Sequence, residues 1–248
     1  MNSDDLTLTE SELDAARAAR EEMAFPVPPD EGGVETTQPG GAASATPISD
    51  TAFDLIVEFE VSSEQVYTRK YRGPIWPGGA SGVTIGIGYD VGYATKAQLA
   101  ADFGGAIPDG MIAALGAAIG VTGTAAQNMA RRLAGSVDVP WPAAIGVHRR
   151  KVVPRWVGLV ERSLPRTGEI GPDCLGALVS LTYNRGPSFS TAGDRYAEMR
   201  SIKSHMSAGN FRAVPGDIRA MKRLWPTVPG LQKRREREAR LFERGLQA

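Results

Sequence analysis

The 248-residue chain is predicted to adopt an α+β fold, a mostly helical body with one small β element, on three observations. Apolar residues recur at spacings of three and four over most of residues 49–246, as on the inward face of amphipathic helices. Residues 67–93 break that period, and SGVTIGIGYDVGY at 81–93 sets β-branched residues among glycines, which suits a tight hairpin or the wall of a site. Residues 25–47, FPVPPDEGGVETTQPGGAASATP, are too poor in large apolar side chains to offset the entropy of ordering and read as a linker.

Residues 8–23 suit a short helix, with Thr9 as cap and Glu12 as its reciprocal partner three positions on. The segment 1–48 is otherwise expected to be largely disordered, and the folded body to begin near Ser49. There, SDTAFDLIVEFEVSSEQVY places Phe53, Ile56, Val57 and Glu60 along one side of a helix capped by Ser49 or Asp50. YTRKYR, a turn through GPIWPGGASG and then VTIGIGYDV form the expected β region. Helices are expected at 95–103, capped by Thr95, and at 108–119 and 122–134, separated at Gly120. In VDVPWPAAIGVHRRKVVPRWVGLVERSL, Pro142 suits a helix start and Pro154 an interruption or kink. Further helices are expected at 172–184, 193–208, 210–223 and 231–246.

Composition narrows the function classes. Hydrophobic residues at 42% with 17 Pro and 29 Gly describe a globular protein rich in turns, long enough for one or two domains. The formal charge of +0 hides an asymmetry: residues 1–48 hold ten Asp or Glu against two Arg, whereas 49–248 hold 26 Lys or Arg against 18 Asp or Glu. A basic body attracts a polyanion such as nucleic acid, an anionic membrane surface or an acidic cell-wall polymer. No zinc-finger spacing, phosphate-cradling glycine loop or aromatic-basic RNA motif accompanies the charge, so nucleic acid is not the expected partner. Cys174, in CLGALVSL, reads as a buried thiol. No run reaches membrane-span length, and the acidic start MNSDDLTLTESELD lacks the order of a secretory signal, so stable membrane insertion is not expected.

Glu58 and Glu60 are the first candidates for chemistry. A carboxyl among apolar side chains is desolvated and holds its proton near neutral pH, as a general acid must. Two positions apart, they cannot share a helical face.

Glu60, Tyr67 seven residues later and Thr84-Ile85-Gly86-Ile87-Gly88 together resemble the active-site opening of phage-type lysozymes of glycoside hydrolase family 24. ALVSLTYNRGPSF at 177–189 is similar to that family's core helix and following turn, and PGLQKRREREARLF at 229–242 to its closing helix. The resemblance implies a lysozyme-like domain over 49–248 with a small β-hairpin subdomain, β region about 67–93, beside the catalytic cleft. It implies a peptidoglycan hydrolase, a muramidase cleaving between N-acetylmuramic acid and N-acetylglucosamine, with Glu60 as general acid and Thr84 positioning water. No cofactor or metal is expected.

The chain departs from the family in one respect. The usual hairpin aspartate is missing, because TRKYRGPIWPGGASGV at 68–83 contains no Asp or Glu. Asp90 is either its replacement as base or an acceptor of backbone hydrogen bonds in its own turn. A lytic transglycosylase, or a non-catalytic wall-binding protein of lysozyme fold, is the alternative outcome. Tyr71, Trp76 and Tyr89 are expected to face sugar rings, Arg69 or Arg72 the carboxylates of stem peptides, Tyr67 to bind substrate beside them, and Asn184 the cleft floor. Trp76 suits packing of the hairpin equally well, and helix termination before Gly186 explains Asn184 without substrate. Glu58 is left a surface or supporting role. Arg234, Arg235 and Arg237 read as a solvated helix face, and His148 and His205 as ordinary surface residues. The expected partners are bacterial peptidoglycan and an immunity protein or secretion-system component. The protein is expected to be made in the cytoplasm and to act in the periplasm or on the wall after holin-dependent release or specialised secretion.

Overall fold

A computed structural model describes residues 6–22 and 41–247. The fold is α+β, mostly helical with one two-stranded hairpin among the described residues. Most of the expected linker lies outside them. The described residues divide into two compact units: 6–19, 41–59 and 154–247 in the first, 20–22 and 60–153 in the second.

In the first unit, α1 (Glu10–Glu22) starts with a reciprocal cap. The Glu12 amide donates to Thr9 Oγ1 at 3.2 Å and the Thr9 amide to Glu12 Oε2 at 2.9 Å. α2 (Asp50–Val61), whose last residues from Glu60 belong to the second unit, starts at Ser49, whose Oγ accepts the Ala52 amide at 3.1 Å. Behind it runs α9 (Pro172–Arg185), buried without a break from Cys174 to Arg185, as expected of a central helix that is apolar nearly all round. A methyl at Gly176 would overlap Ala52 Cβ, so only glycine lets these two backbones approach so closely. α8 (Val153–Ser163), α10 (Ala197–Ala208), α11 (Val214–Ala220) and α12 (Pro229–Gly245) complete the helices of this unit, α12 packing on both α9 and α11.

The expected body boundary at Ser49 is crossed from the N-terminal side. Leu13 and Ala16 of α1 are buried, and Lys233 Nζ donates to Glu12 Oε1 at 2.8 Å and to the Thr7 carbonyl at 2.9 Å. Lys233 holds the Glu12 carboxyl below the usual range.

The second unit carries the hairpin. The expected strand YTRKYR is instead a helix, α3 (Glu64–Lys70), capped by Ser63 Oγ on the Val66 amide at 3.3 Å. Tyr67 and Tyr71 stand an even number of residues apart, as on one face of a strand, but the cap and the acidic first turn favour the helix. The strands are β1 (Thr84–Ile85) and β2 (Tyr89–Asp90), antiparallel, pairing Thr84 with Asp90 and Ile85 with Tyr89. Gly86 and Gly88, at φ 58° and 68°, make the turn in a left-handed region where other residues are strained. Ile75 bridges to Thr84 through paired amide–carbonyl bonds of 2.8 and 2.9 Å, which ties the loop before the hairpin to its first strand.

Around the hairpin stand α4 (Lys96–Phe103), capped by Thr95, α5 (Asp109–Leu115), α6 (Gly123–Leu133) and α7 (Trp141–Val147). α7 runs on into a π-helical turn, His148–Val152, closed by the Val153 amide on the His148 carbonyl. Pro154 follows at once. A proline ring crowds the carbonyl four residues before it, and a widened turn accommodates this without ending the helix.

Candidate functional site

Glu60 is the last residue but one of α2 and is half-buried. Its carboxylate acts electrostatically on the imidazole of His148, which is only 1% exposed. Burial holds that ring down at about 4. The Glu60 charge and the Ile87 backbone pull the other way, and the Arg149 charge adds to the lowering. The ring is therefore neutral over the working range of most enzymes, although the sequence marks His148 as an ordinary surface residue. The correction has a geometric cause. Gly86 of the hairpin turn faces Ala144 of α7, with a methyl there lying 3.8 Å from Ala144 Cβ. His148 follows Ala144 by four residues and so shares the helix face turned toward the hairpin. Only the π-helical turn, a feature concentrated at functional sites, flags the position, and it is not legible in the sequence.

Thr84 and Asp90 face each other across the hairpin. Directly opposed residues project to the same face of an antiparallel pair. Thr84 Oγ1 lies 3.5 Å from the Gly82 carbonyl, a weak contact. Asp90 is 0% exposed, and its oxygens accept the amides of Gly82 at 2.8 Å and Gly92 at 2.9 Å. A methyl at Gly82 would run into Asp90 Oδ1 and the Gly92 backbone, so the carboxylate sits between two glycine backbones that it holds together. Of the two readings of Asp90, this geometry fits the acceptor of backbone hydrogen bonds. Nearby, burial first and then the Asp90 charge raise the pKa of Tyr93, whose hydroxyl donates to the Ala80 carbonyl at 2.8 Å.

Two of the aromatics expected to bind substrate belong to the core. Tyr67 is fully buried, its hydroxyl donating to the Val139 carbonyl at 2.7 Å and its ring 5.3 Å from that of Trp141. Desolvation raises its pKa, with a smaller contribution from Asp138. Tyr89 is buried edge-on against Phe103 at 4.9 Å and donates to Asp102 Oδ2 at 2.9 Å. Aromatic type suggests a sugar platform in both cases, but their polar tips are satisfied inside the protein. Trp76 is half-buried, and its Nε1–H donates to the Ser81 carbonyl at 3.1 Å, which fastens the indole to the loop before the hairpin. Tyr71 is half-buried and Arg69 exposed. Arg72 makes a two-pronged pair with Asp138.

Asn184 belongs to the first unit and lies in the last turn of α9. Its Oδ1 accepts from Arg235 Nη2 at 3.0 Å. Arg235 also reaches Glu238 Oε1 at 3.0 Å, which accepts from Arg234 Nε at 3.1 Å and Ser180 Oγ at 2.6 Å. Arg234 and Arg235 are thus buried, contrary to the solvated face read from the sequence. Burial draws the Arg235 guanidinium down to about 9. Arg237 alone follows the expected pattern of a helix-surface ion pair, in two bonds of 2.6 and 2.7 Å to Glu58. Glu58 therefore has the supporting role expected for it. His205 is partly exposed and pairs with Asp217 Oδ2 at 2.8 Å.

Among the described residues, no group of three or more His, Cys, Asp or Glu side chains could hold a metal ion, and no helix is long and apolar enough to cross a membrane. No protein-family model matches the chain, and no curated protein matches it in sequence.

Proposed function

We propose that the chain cleaves peptidoglycan between N-acetylmuramic acid and N-acetylglucosamine as a muramidase of lysozyme-like fold, with Glu60 as the general acid. What supports this reading is the place of the half-buried Glu60, one residue before the end of α2, where its charge acts on the buried imidazole of His148. A general acid must hold its proton near the working pH, and a neighbour that carries no charge does not draw that proton off. Glu60 gives its proton to the glycosidic oxygen as the bond to C1 breaks, and a water positioned with the help of Thr84 adds to C1 and gives up a proton to solvent.

A second reading is favoured by Asp90. With both oxygens on backbone amides, it is not disposed to activate water. In that case Glu60 acts twice. It protonates the leaving oxygen, then, as carboxylate, takes the proton of the muramoyl C6 hydroxyl as that oxygen closes on C1, giving the anhydro product of a lytic transglycosylase. In either case the substrate is the bacterial wall, reached by holin-dependent release or specialised secretion, with an immunity protein as the natural partner in the second setting.

The test is product analysis on purified sacculi. New muramic-acid reducing ends, absent with Glu60→Gln, support hydrolysis. Anhydromuramyl ends, also absent with Glu60→Gln, move the assignment to transglycosylation. Binding of sacculi without release of either product overturns the catalytic reading.

A further inference from the structure

The chain turns sharply two residues after Glu60, and the turn is strained. The Ser63 amide donates to the Val61 carbonyl at 3.0 Å, and Ser62, the residue between them, stands at φ 70°. A three-residue turn with a positive central φ is the rare form of the γ-turn, in which Cβ crowds the carbonyl oxygen that follows it. Glycine escapes that conflict. Among the described residues glycine takes the positive φ at twelve positions, and the exceptions are Ser62 and Arg166. Arg166 has its guanidinium held on Glu169 by bonds of 2.7 and 2.8 Å, far from the candidate acid in sequence. Ser62 is next but one to it.

Strain of this kind persists only where the surrounding structure over-determines the backbone, and it gathers at sites whose geometry must be held. Both arms of this turn are fixed, and all of the residues involved belong to the second unit. Before it, Val61 is 2% exposed. After it, Ser63 caps α3 twice over, its Oγ accepting the Val66 amide at 3.3 Å and its carbonyl the Tyr67 amide at 2.8 Å. Tyr67 is in turn fully buried, with its hydroxyl on the Val139 carbonyl at 2.7 Å. A glycine at position 62 would make the same turn without strain, and would give the corner more conformations to visit.

We propose that Ser62 is a positioning residue for Glu60: its Cβ narrows the backbone choices at this corner, fixes residues 60 and 61 relative to the start of α3, and so confines the Glu60 carboxyl to one orientation. The inference rests on the muramidase reading, which supplies the role of Glu60, and adds the device that aims it. The backbone carries the effect and the Ser62 hydroxyl has no part in it. Alanine therefore serves at this position and glycine does not.

The test compares Ser62→Gly and Ser62→Ala in the full chain by NMR and by kinetics. In Ser62→Gly the urea midpoint is expected to stay at or above that of wild type, because the strain is relieved. The Ser63 amide is expected to exchange with solvent about tenfold faster as the corner opens locally, and the Glu60 side-chain couplings to average over rotamers. Ser62→Ala keeps the Cβ and is expected to match wild type in both. Equal exchange and couplings in wild type and Ser62→Gly overturn the proposal, as does Ser62→Ala behaving like Ser62→Gly. Should Ser62→Gly not fold, the wild type decides: one Glu60 rotamer is expected, and couplings averaged over several overturn the proposal. Where sacculi are cleaved, kcat of Ser62→Gly on solubilised glycan chains is expected to fall about tenfold or more at unchanged KM, and Ser62→Ala to keep it. A merely structural loss would instead lower the urea midpoint, and wild-type kcat in Ser62→Gly overturns the proposal. Failure of the muramidase reading appears separately, as absence of product from the wild type, and leaves the exchange and coupling results standing.

Discussion

Asp90 lies opposite Thr84 in the hairpin, and its two carboxylate oxygens are taken by the backbone amides of Gly82 at 2.8 Å and Gly92 at 2.9 Å. The group sequence analysis offers as a second catalytic carboxylate is thus a buried clamp on the wall that carries Thr84.

Asp90→Asn separates the two roles. An amide has one acceptor oxygen, and its NH2 would face a backbone donor, leaving at least one buried group unsatisfied. Each such group costs about 1–3 kcal/mol, so the variant is expected to unfold at lower urea concentration than wild type. Wild-type stability with lost turnover would instead return Asp90 to the chemistry.

Tyr67→Phe removes the hydroxyl that satisfies the buried Val139 carbonyl. The expected loss is about 1–2 kcal/mol in chemical denaturation. The KM for solubilised glycan chains is expected to stay unchanged, because the ring lies in the core and offers no face to a sugar.

His148 gives stability a pH dependence of defined sign. Its pKa is about 4 in the folded chain against an ordinary value of 6.5, so between these values the unfolded state binds more protons. Stability from this group is complete above pH 6.5 and falls as pH drops toward 4, by on the order of 3 kcal/mol. Urea titrations across that range check the slope, which is expected to flatten in His148→Phe.

Glu238→Gln removes the carboxylate shared by Arg234 and Arg235 in the interior of the first unit. Leaving buried cations without their partner costs about 3–5 kcal/mol, whereas replacing all three residues by apolar side chains of similar volume costs much less. Thermal melts of the single and triple variants measure the difference.

Elements that close on themselves were legible. Thr9 with Glu12, Ser49 and Thr95 cap their helices through bonds spanning three residues. The hairpin at 84–90 was announced by its glycines and β-branched residues. Residues 64–70 were not, because YTRKYR at 67–72 has no apolar period of its own and the cap at Ser63 decides for the helix. Of the candidate site, Glu60 and Thr84 were singled out by the resemblance to the phage-type lysozymes. Tyr67 and Tyr89 carried the right chemistry for a sugar platform and were put to use in the core.

Local order in this chain, its helices, caps and hairpin turn, follows from interactions a few residues long, and the order of neighbouring residues suffices to state them. Burial does not. Tyr67 finds its acceptor 72 residues away at Val139, and Arg235 finds Asn184 at a separation of 51. Asp90 becomes a clamp because Gly82 and Gly92 leave room for its oxygens, and His148 is neutral because the packing around it excludes water. Whether a polar side chain is surface, scaffold or site depends on what the rest of the chain places against it, since desolvation and hydrogen-bond partners set its charge and its reach.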